Sequence, residues 1–214
     1  MEGIDGSLDM LVIYDLGTVK IDSYPAKSKS SDDTYYAIQD FRGNTYVDMV
    51  YSDNSKEIKL AVRELGFPHR TSVPGIPSTN TLAEGRVQIV VNGAKTSLVN
   101  AGLPCAFWPY SSRHFCIGLS TRVVDGSSAY YRQQGEVFPA PFIPFGCRVF
   151  FKSSPISKQL STKFDSDAST GVFLGYVLDP GGKWSGEYYV VNLAAFAGKP
   201  LHRHTPAAKY MSNG

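Results

Sequence analysis

The sequence is poor in the features that would assign it at once. Its 214 residues include only three cysteines, Cys105, Cys116 and Cys147, with no C-x-x-C spacing. An odd, dispersed set argues against a disulfide framework or a zinc knuckle and fits free thiols in a reducing compartment. No apolar run approaches the ~20 residues that a membrane-spanning helix needs. The N-terminal stretch is acidic and lacks the layout of a signal peptide. The expectation is a soluble, intracellular protein with no membrane partner. Repeats, low-complexity tracts and a basic localisation cluster are also absent.

What is present is an ordinary globular composition, 43% hydrophobic, with length for one domain of usual size plus a small one. The net charge of +2 hides a split. Residues 1–50 carry 4 basic and 9 acidic side chains, and the remainder carries 17 and 10. A basic C-terminal portion is compatible with an anionic polymer as partner.

Period and punctuation predict the elements. Met10 to Tyr14 and Val19 to Tyr24 flank the turn residues Asp15-Leu16-Gly17 and read as an antiparallel hairpin ended by Pro25. A helix follows, capped by Ser30 or Ser31 and stopped by Gly43. The apolar run Tyr46 to Tyr51 is a strand. Ser55 is placed to cap a helix whose Ile58, Ala61, Val62 and Leu65 fall at i, i+3, i+4 and i+7, with Gly66 at its C-terminal end. His69 to Val73 is a short strand. A long helix from Thr79 to Ala101 carries the stripe Ala83, Val87, Val90, Val91, Ala94, Leu98 and Ala101, and another helix covers Cys105 to Leu119. Beyond it, residues 120–143 are rich in Gly, Ser, Pro and Gln. Strand patterns then recur at Phe145–Phe151, Gly171–Tyr176 and Glu187–Val191, and Pro180-Gly181-Gly182-Lys183 marks a turn. A small all-β barrel fits this last part.

Asp53 directly follows the strand ending at Tyr51, and Glu84 lies in the first turns of the long helix. A carboxylate at the carboxyl end of a strand and another on a nearby helix can converge on a divalent cation. Mg²⁺ takes hard oxygen ligands and suits phosphoryl transfer. An Asp-Asn pair in a loop is equally an ordinary turn, so spacing alone leaves both options open.

The ordered string SDN, helix, LG-x-x-H-x-T-S-x-P-G-x-P, then TN-x-x-AE resembles the integrase core of Ty1/copia-type retrotransposons and, more loosely, of retroviral integrases. PFGCRVFF followed by KFDSDASTGVFLGY resembles the SH3-like module that follows that core. The resemblance covers about residues 9–196. It implies an α/β ribonuclease-H-like core over 1–122, a connector over 123–143, an SH3-like β-barrel over 144–196 and a tail over 197–214. It implies Asp53 and Glu84 as two of the three catalytic, metal-binding carboxylates of a D,D,E triad, with Mg²⁺ or Mn²⁺ as cofactor. Asn80, Arg86, Lys95 and Lys56 would contact nucleic acid. The implied function is DNA integration, by metal-dependent 3′ processing and strand transfer on element ends and target DNA. A homo-oligomer, if active, and a nuclear location follow from the same resemblance.

Three departures matter. In the family one more strand precedes the hairpin and carries the first catalytic Asp. Here only ten residues with two glycines precede it, and Asp5, Asp9 and Asp15 are not where that ligand belongs. The expectation is therefore an incomplete catalytic set and a sheet lacking its central strand, from a late start codon or a decayed element. Ser55 replaces a glycine that allows close backbone approach. Gly85 shifts Arg86 by one position, a swing of about 100° around a helix, so this cation points elsewhere. Two alternatives stand beside catalysis. One is an inactive integrase remnant that keeps nucleic-acid binding, using also Lys59, Arg148, Lys152, Lys163 and Lys183. The other is a protein-interaction module in which Trp184, Tyr176, Tyr188 and Tyr189 line a groove for proline-rich peptides.

Overall fold

The computed structural model describes residues 1–72, 81–152 and 168–196. Its elements run β1 (Asp9–Tyr14), β2 (Ile21–Ala26), α1 (Ser31–Arg42), β3 (Val50–Ser52), α2 (Lys56–Glu64), β4 (His69–Thr71), α3 (Thr81–Ala101), α4 (Trp108–Thr121), α5 (Ala129–Gln134), β5 (Arg148–Lys152), β6 (Ala168–Leu178) and β7 (Trp184–Asn192). The class is mixed α/β, as expected.

The hairpin forms in the register Asp9↔Ala26 to Tyr14↔Ile21. The Asp15 carboxylate nucleates the turn by accepting from the backbone N–H of Gly17 and Thr18. Pro25 does not end β2 but pairs opposite Met10. β2 is an edge strand, and an edge tolerates a residue with no N–H to donate. Ser30 caps α1 by accepting from Asp33 N at 3.0 Å, and Gly43 stops it at φ 55°. Ser55 occupies the N-cap of α2, but its hydroxyl makes no capping bond. The stripe on α3 is narrower than its apolar pattern. Val90, Ala94 and Leu98 are buried, whereas Val87 is 41% exposed.

β1 hydrogen-bonds only to β2 and β3 only to β4, so the described strands of this half form two separate two-stranded sheets. β3 and β4 are parallel, with Ser52 beside Thr71. The two sheets share α1 as a bridge: it packs on β1, β2 and α2. Among the described residues, the second edge of β1 and of β3 has no ladder partner, and such unpaired edges leave backbone groups without partners.

The C-terminal strands form an open antiparallel sheet in the order β5-β6-β7. The described strands do not close into the expected barrel. Among the described residues, helices and the segment preceding the sheet pack against it. Val172, Leu174 and Val191 share a core with Leu98, Phe107 and Ile4, and Phe173 and Tyr176 share another with Ile117. The 123–143 stretch is part of this packing. It contains α5, capped by Ser128 and ended by Gly135 in the left-handed region at φ 72°. Farther on, Tyr176 Oη donates to Pro141 O and accepts from Ile143 N, both at 2.7 Å. Phe138 stacks edge-on to Tyr176 and tilted to Trp184. The face formed by Tyr176, Trp184 and Tyr188 thus holds the chain's own Phe138–Ile143 segment.

A buried lysine fastens the turn between β6 and β7 to the N-terminal half. Lys20, 5% exposed, donates to Phe41 O and Gly181 O, each at 2.8 Å. Gly181 N donates to Asp40 O. Gly43 permits this approach, since a Cβ there would lie 2.7 Å from Gly181 Cα. Burial lowers the Lys20 pKa to about 8, against the raising influence of Asp22 and Asp40. An unfolded lysine titrates near 10.5. Between those values the unfolded chain binds the extra proton, so raising the pH through this window stabilises the fold. Relative to Lys20→Met, the wild-type chain is expected to gain about 2 kcal/mol between pH 7 and 9.5 in denaturant melts. A flat difference across that window contradicts the assignment.

Candidate functional site

The first candidate carboxylate sits where the parallel pair ends. Ser52 closes β3, and its side chain is the pivot of the site. Its single hydroxyl proton goes to Asp53 O at 2.7 Å. His69 Nε2, 2.9 Å away, must then be the donor to Ser52 Oγ, which assigns the tautomer from the network. Burial lowers the His69 pKa, helped by the Lys59 charge, so the ring is neutral at pH 7. This His–Ser–carbonyl chain ties β4 to the first residue beyond β3. Asp53 itself is exposed. Its Oδ1 accepts from Ser55 N at 3.1 Å, which sets the carboxylate over the N-terminus of α2, where a negative charge is favoured. Oδ2 has no hydrogen-bond partner among the described residues and is open to solvent chemistry.

Glu84 lies in the first turn of α3 and is exposed. Asp53 leaves β3 at the same end at which the chain leaves β4 toward α3, because the two strands are parallel. The other acids near the hairpin are committed locally. Asp5 accepts from Ser7 N, and Asp9 faces Lys29 at 3.6 Å. Asp15 is tied into its turn; burial would raise its pKa, but the Thr18 and Gly17 hydrogen bonds and Lys20 outweigh it and leave it lowered. Among the described residues, no three His, Cys, Asp or Glu side chains group as a metal site. By donor type, Asp53 and Glu84 suit a single Mg²⁺ or Mn²⁺ that keeps waters and takes substrate oxygens. A complete two-ion site does not fit the residues described.

The cations expected at nucleic acid divide. Lys56, the first residue of α2, and Lys95 on α3 are exposed. Arg86 turns inward, in keeping with its one-residue shift. Its guanidinium lies 4.1 Å from the centre of the Tyr14 ring and donates to Tyr14 Oη at 3.2 Å, while its Nε is buried with no partner among the described residues. It braces α3 on β1. Asn80 and Lys163 lie outside the described residues. On the outer face of β5, Arg148, Phe150 and Lys152 alternate with half-buried neighbours and are exposed. The Arg148 guanidinium lies 5.4 Å from the Phe150 ring centre. Sequence reasoning gave His69 no role although it stands in the quoted string, and it placed Arg148 and Lys152 without the ring between them.

With this geometry set out, the comparisons with known proteins can be stated. The chain is 29% identical over 167 residues to the retrovirus-related Pol polyprotein from transposon RE1 of Arabidopsis thaliana, covering 72% of this chain. The corresponding polyprotein from transposon RE2 of the same plant is 27% identical over 168 residues. That from transposon TNT 1-94 of Nicotiana tabacum is 26% identical over 191 residues, or 82% of this chain. The chain is homologous to retrovirus-related Pol polyproteins of plant transposons. It spans only 11 to 14% of those relatives' length. No family model matches it. Among solved structures, the catalytic core domain of BIV integrase aligns over 59% of this chain and 85% of that chain, with a TM-score of 0.45 and 13% identity. No helix among the described residues of this Pol-related chain is long and apolar enough to cross a membrane.

Proposed function

We propose that the chain is the integrase part of a retrotransposon Pol polyprotein, with a ribonuclease-H-like core, and that it acts in DNA integration. The observation that carries this is the match of motif to element. SDN falls at the end of β3, the LG-x-x-H string at α2 and β4, and AE in the first turn of α3. In open α/β sheets, sites form outside the carboxyl ends of the strands. Asp53 and Glu84 are the metal-binding carboxylates in this scheme. A divalent ion, when bound, supplies Lewis-acid activation of a water or a DNA 3′-hydroxyl against a phosphodiester. The chain's own groups prepare that place. Ser52 and His69 hold the Asp53 backbone, and the N-terminus of α2 favours its charge.

DNA contact uses Lys56 on α2 and Lys95 on α3, together with Asn80, and Arg148 and Lys152 on the C-terminal sheet. An aromatic ring between two cations suits phosphate contact with base stacking on the ring. The C-terminal sheet is read as the SH3-like module, and a homo-oligomer in the nucleus is the working assembly. Peptide docking by that module is the weaker alternative, because Phe138 and Ile143 already occupy the Tyr176–Trp184 face.

The test is fluorescence anisotropy of a labelled duplex at several salt concentrations. Four phosphate contacts predict a log–log slope of about −3.6. The double substitution Arg148→Ala with Lys152→Ala is expected to shallow it by about 2. Arg86→Ala should leave it unchanged. No binding at low salt sinks the proposal.

A further inference from the structure

Residues 137–144, V-F-P-A-P-F-I-P, lie between α5 and β5 and join neither helix nor strand. Proline fixes its own φ near about −65° and pushes the residue before it to extended or polyproline backbone. From Phe138 to Pro144, only Phe142 escapes both restrictions. The chain bends once within this stretch, at Ala140. One side of the segment is pinned. Phe138 meets the Tyr130 and Tyr176 rings edge-on, each with centres 5.1 Å apart. Tyr176 Oη bridges Pro141 O and Ile143 N, and His114 Nε2–H donates to Ile143 O at 2.9 Å. The other side is open. Ala140 and Ile143 are half-buried, whereas Pro139 and Phe142, and Pro141 and Pro144, are exposed. Three residues per turn is the period of polyproline II, so this burial is that of a three-sided rod resting on one edge. Val137, 74% exposed, and Phe142, 54% exposed, make the open edges an apolar ridge.

The backbone of the ridge chooses its partner. Pro139, Pro141 and Pro144 carry no N–H, so the segment presents carbonyl acceptors with few donors. A strand added from another protein needs both, which excludes sheet extension here. Residues 137–144 hold no charged side chain, so nothing in them attracts a phosphate backbone. Trp and Tyr side chains do match, because each brings an N–H or O–H donor on a flat apolar ring. Pro141 and Pro144 also stand at the P-x-x-P spacing that aromatic-lined grooves of SH3 domains take. Pinning from behind removes much of the ordering cost that a free proline-rich peptide bears on binding. We infer that residues 139–144 are a docking ridge for an aromatic-lined, SH3-type groove on a partner protein. In this role the chain is the proline-rich ligand, not the groove. The inference is independent of the DNA chemistry proposed above.

Surface plasmon resonance of the full chain over an immobilised panel of SH3 domains tests it. At least one domain is expected to bind with a Kd of about 100 μM or tighter. That binding should persist at high salt, where DNA contact falls away, and a free P-x-x-P peptide should compete with it. The double substitution Pro141→Ala with Pro144→Ala leaves the pinned side chains in place. It should weaken binding at least about tenfold, with the chain still folded by thermal melt. The inference is overturned if no domain binds the folded wild-type chain, or if the double variant binds as tightly as wild type. It is also overturned if the affinity is lost at high salt, which would mark a contact between charges. Should the double variant fail to fold, Pro141→Ala alone with an unchanged affinity decides against it.

Discussion

A six-residue apolar strand joined through a short linker ahead of Met1 is expected to raise the thermal midpoint by about 4–8 °C. Among the described residues, β1 and β3 each have one edge with no ladder partner, and every residue of β1 is only half-buried. A strand between them would add roughly five backbone hydrogen bonds at about 1 kcal/mol net each. It would also bury about three apolar side chains at roughly 2 kcal/mol each. Ordering six residues costs about 9 kcal/mol, leaving a gain of about 2 kcal/mol. In a chain of this size each kcal/mol shifts the midpoint by about 2–4 °C. Scanning calorimetry of the extended and original chains measures this. A proline-interrupted strand of the same composition is the comparison, because it cannot complete the ladder. Equal midpoints for the two extensions would mean that the gap between β1 and β3 is not a strand site.

Much of the N-terminal half could be read from residues alone because its determinants are local. Ser30 and Gly43 bound α1, and the i, i+3, i+4 spacing of Ile58, Ala61 and Val62 sets the buried face of α2. The same local signals were present in the connector, where Ser128 and Gly135 bracket α5, but its Pro and Gly content masked them. Arg86 was legible as misdirected, since one residue on a helix is a large rotation. Its target, Tyr14, was not, because 72 positions separate the two. Lys20 could not be found in advance for the same reason. Its partners lie on elements distant in sequence, and nothing in a lone Lys marks it as buried. The described C-terminal strands form an open sheet for a tertiary reason. Strand patterns show which faces are apolar, not whether strands or helices cover them, and here α3, α4 and the Phe138–Ile143 segment do so. Asp53 and Glu84 came from the ordered motif, whereas the Ser52–His69 support behind Asp53 emerged only from the fold.

The most direct test is DNA strand transfer by the chain carrying the added strand, with one aspartate on it, in the presence of Mn²⁺. The account predicts joined products from this extended chain and none above background from the original one. Asp53→Asn or Glu84→Gln in the extended chain should each lower the rate by at least about 10²-fold, with the thermal midpoint unchanged. A folded, strand-completed chain that joins no DNA would contradict the account. So would joining that survives both substitutions, since the chemistry would then lie elsewhere than at Asp53 and Glu84.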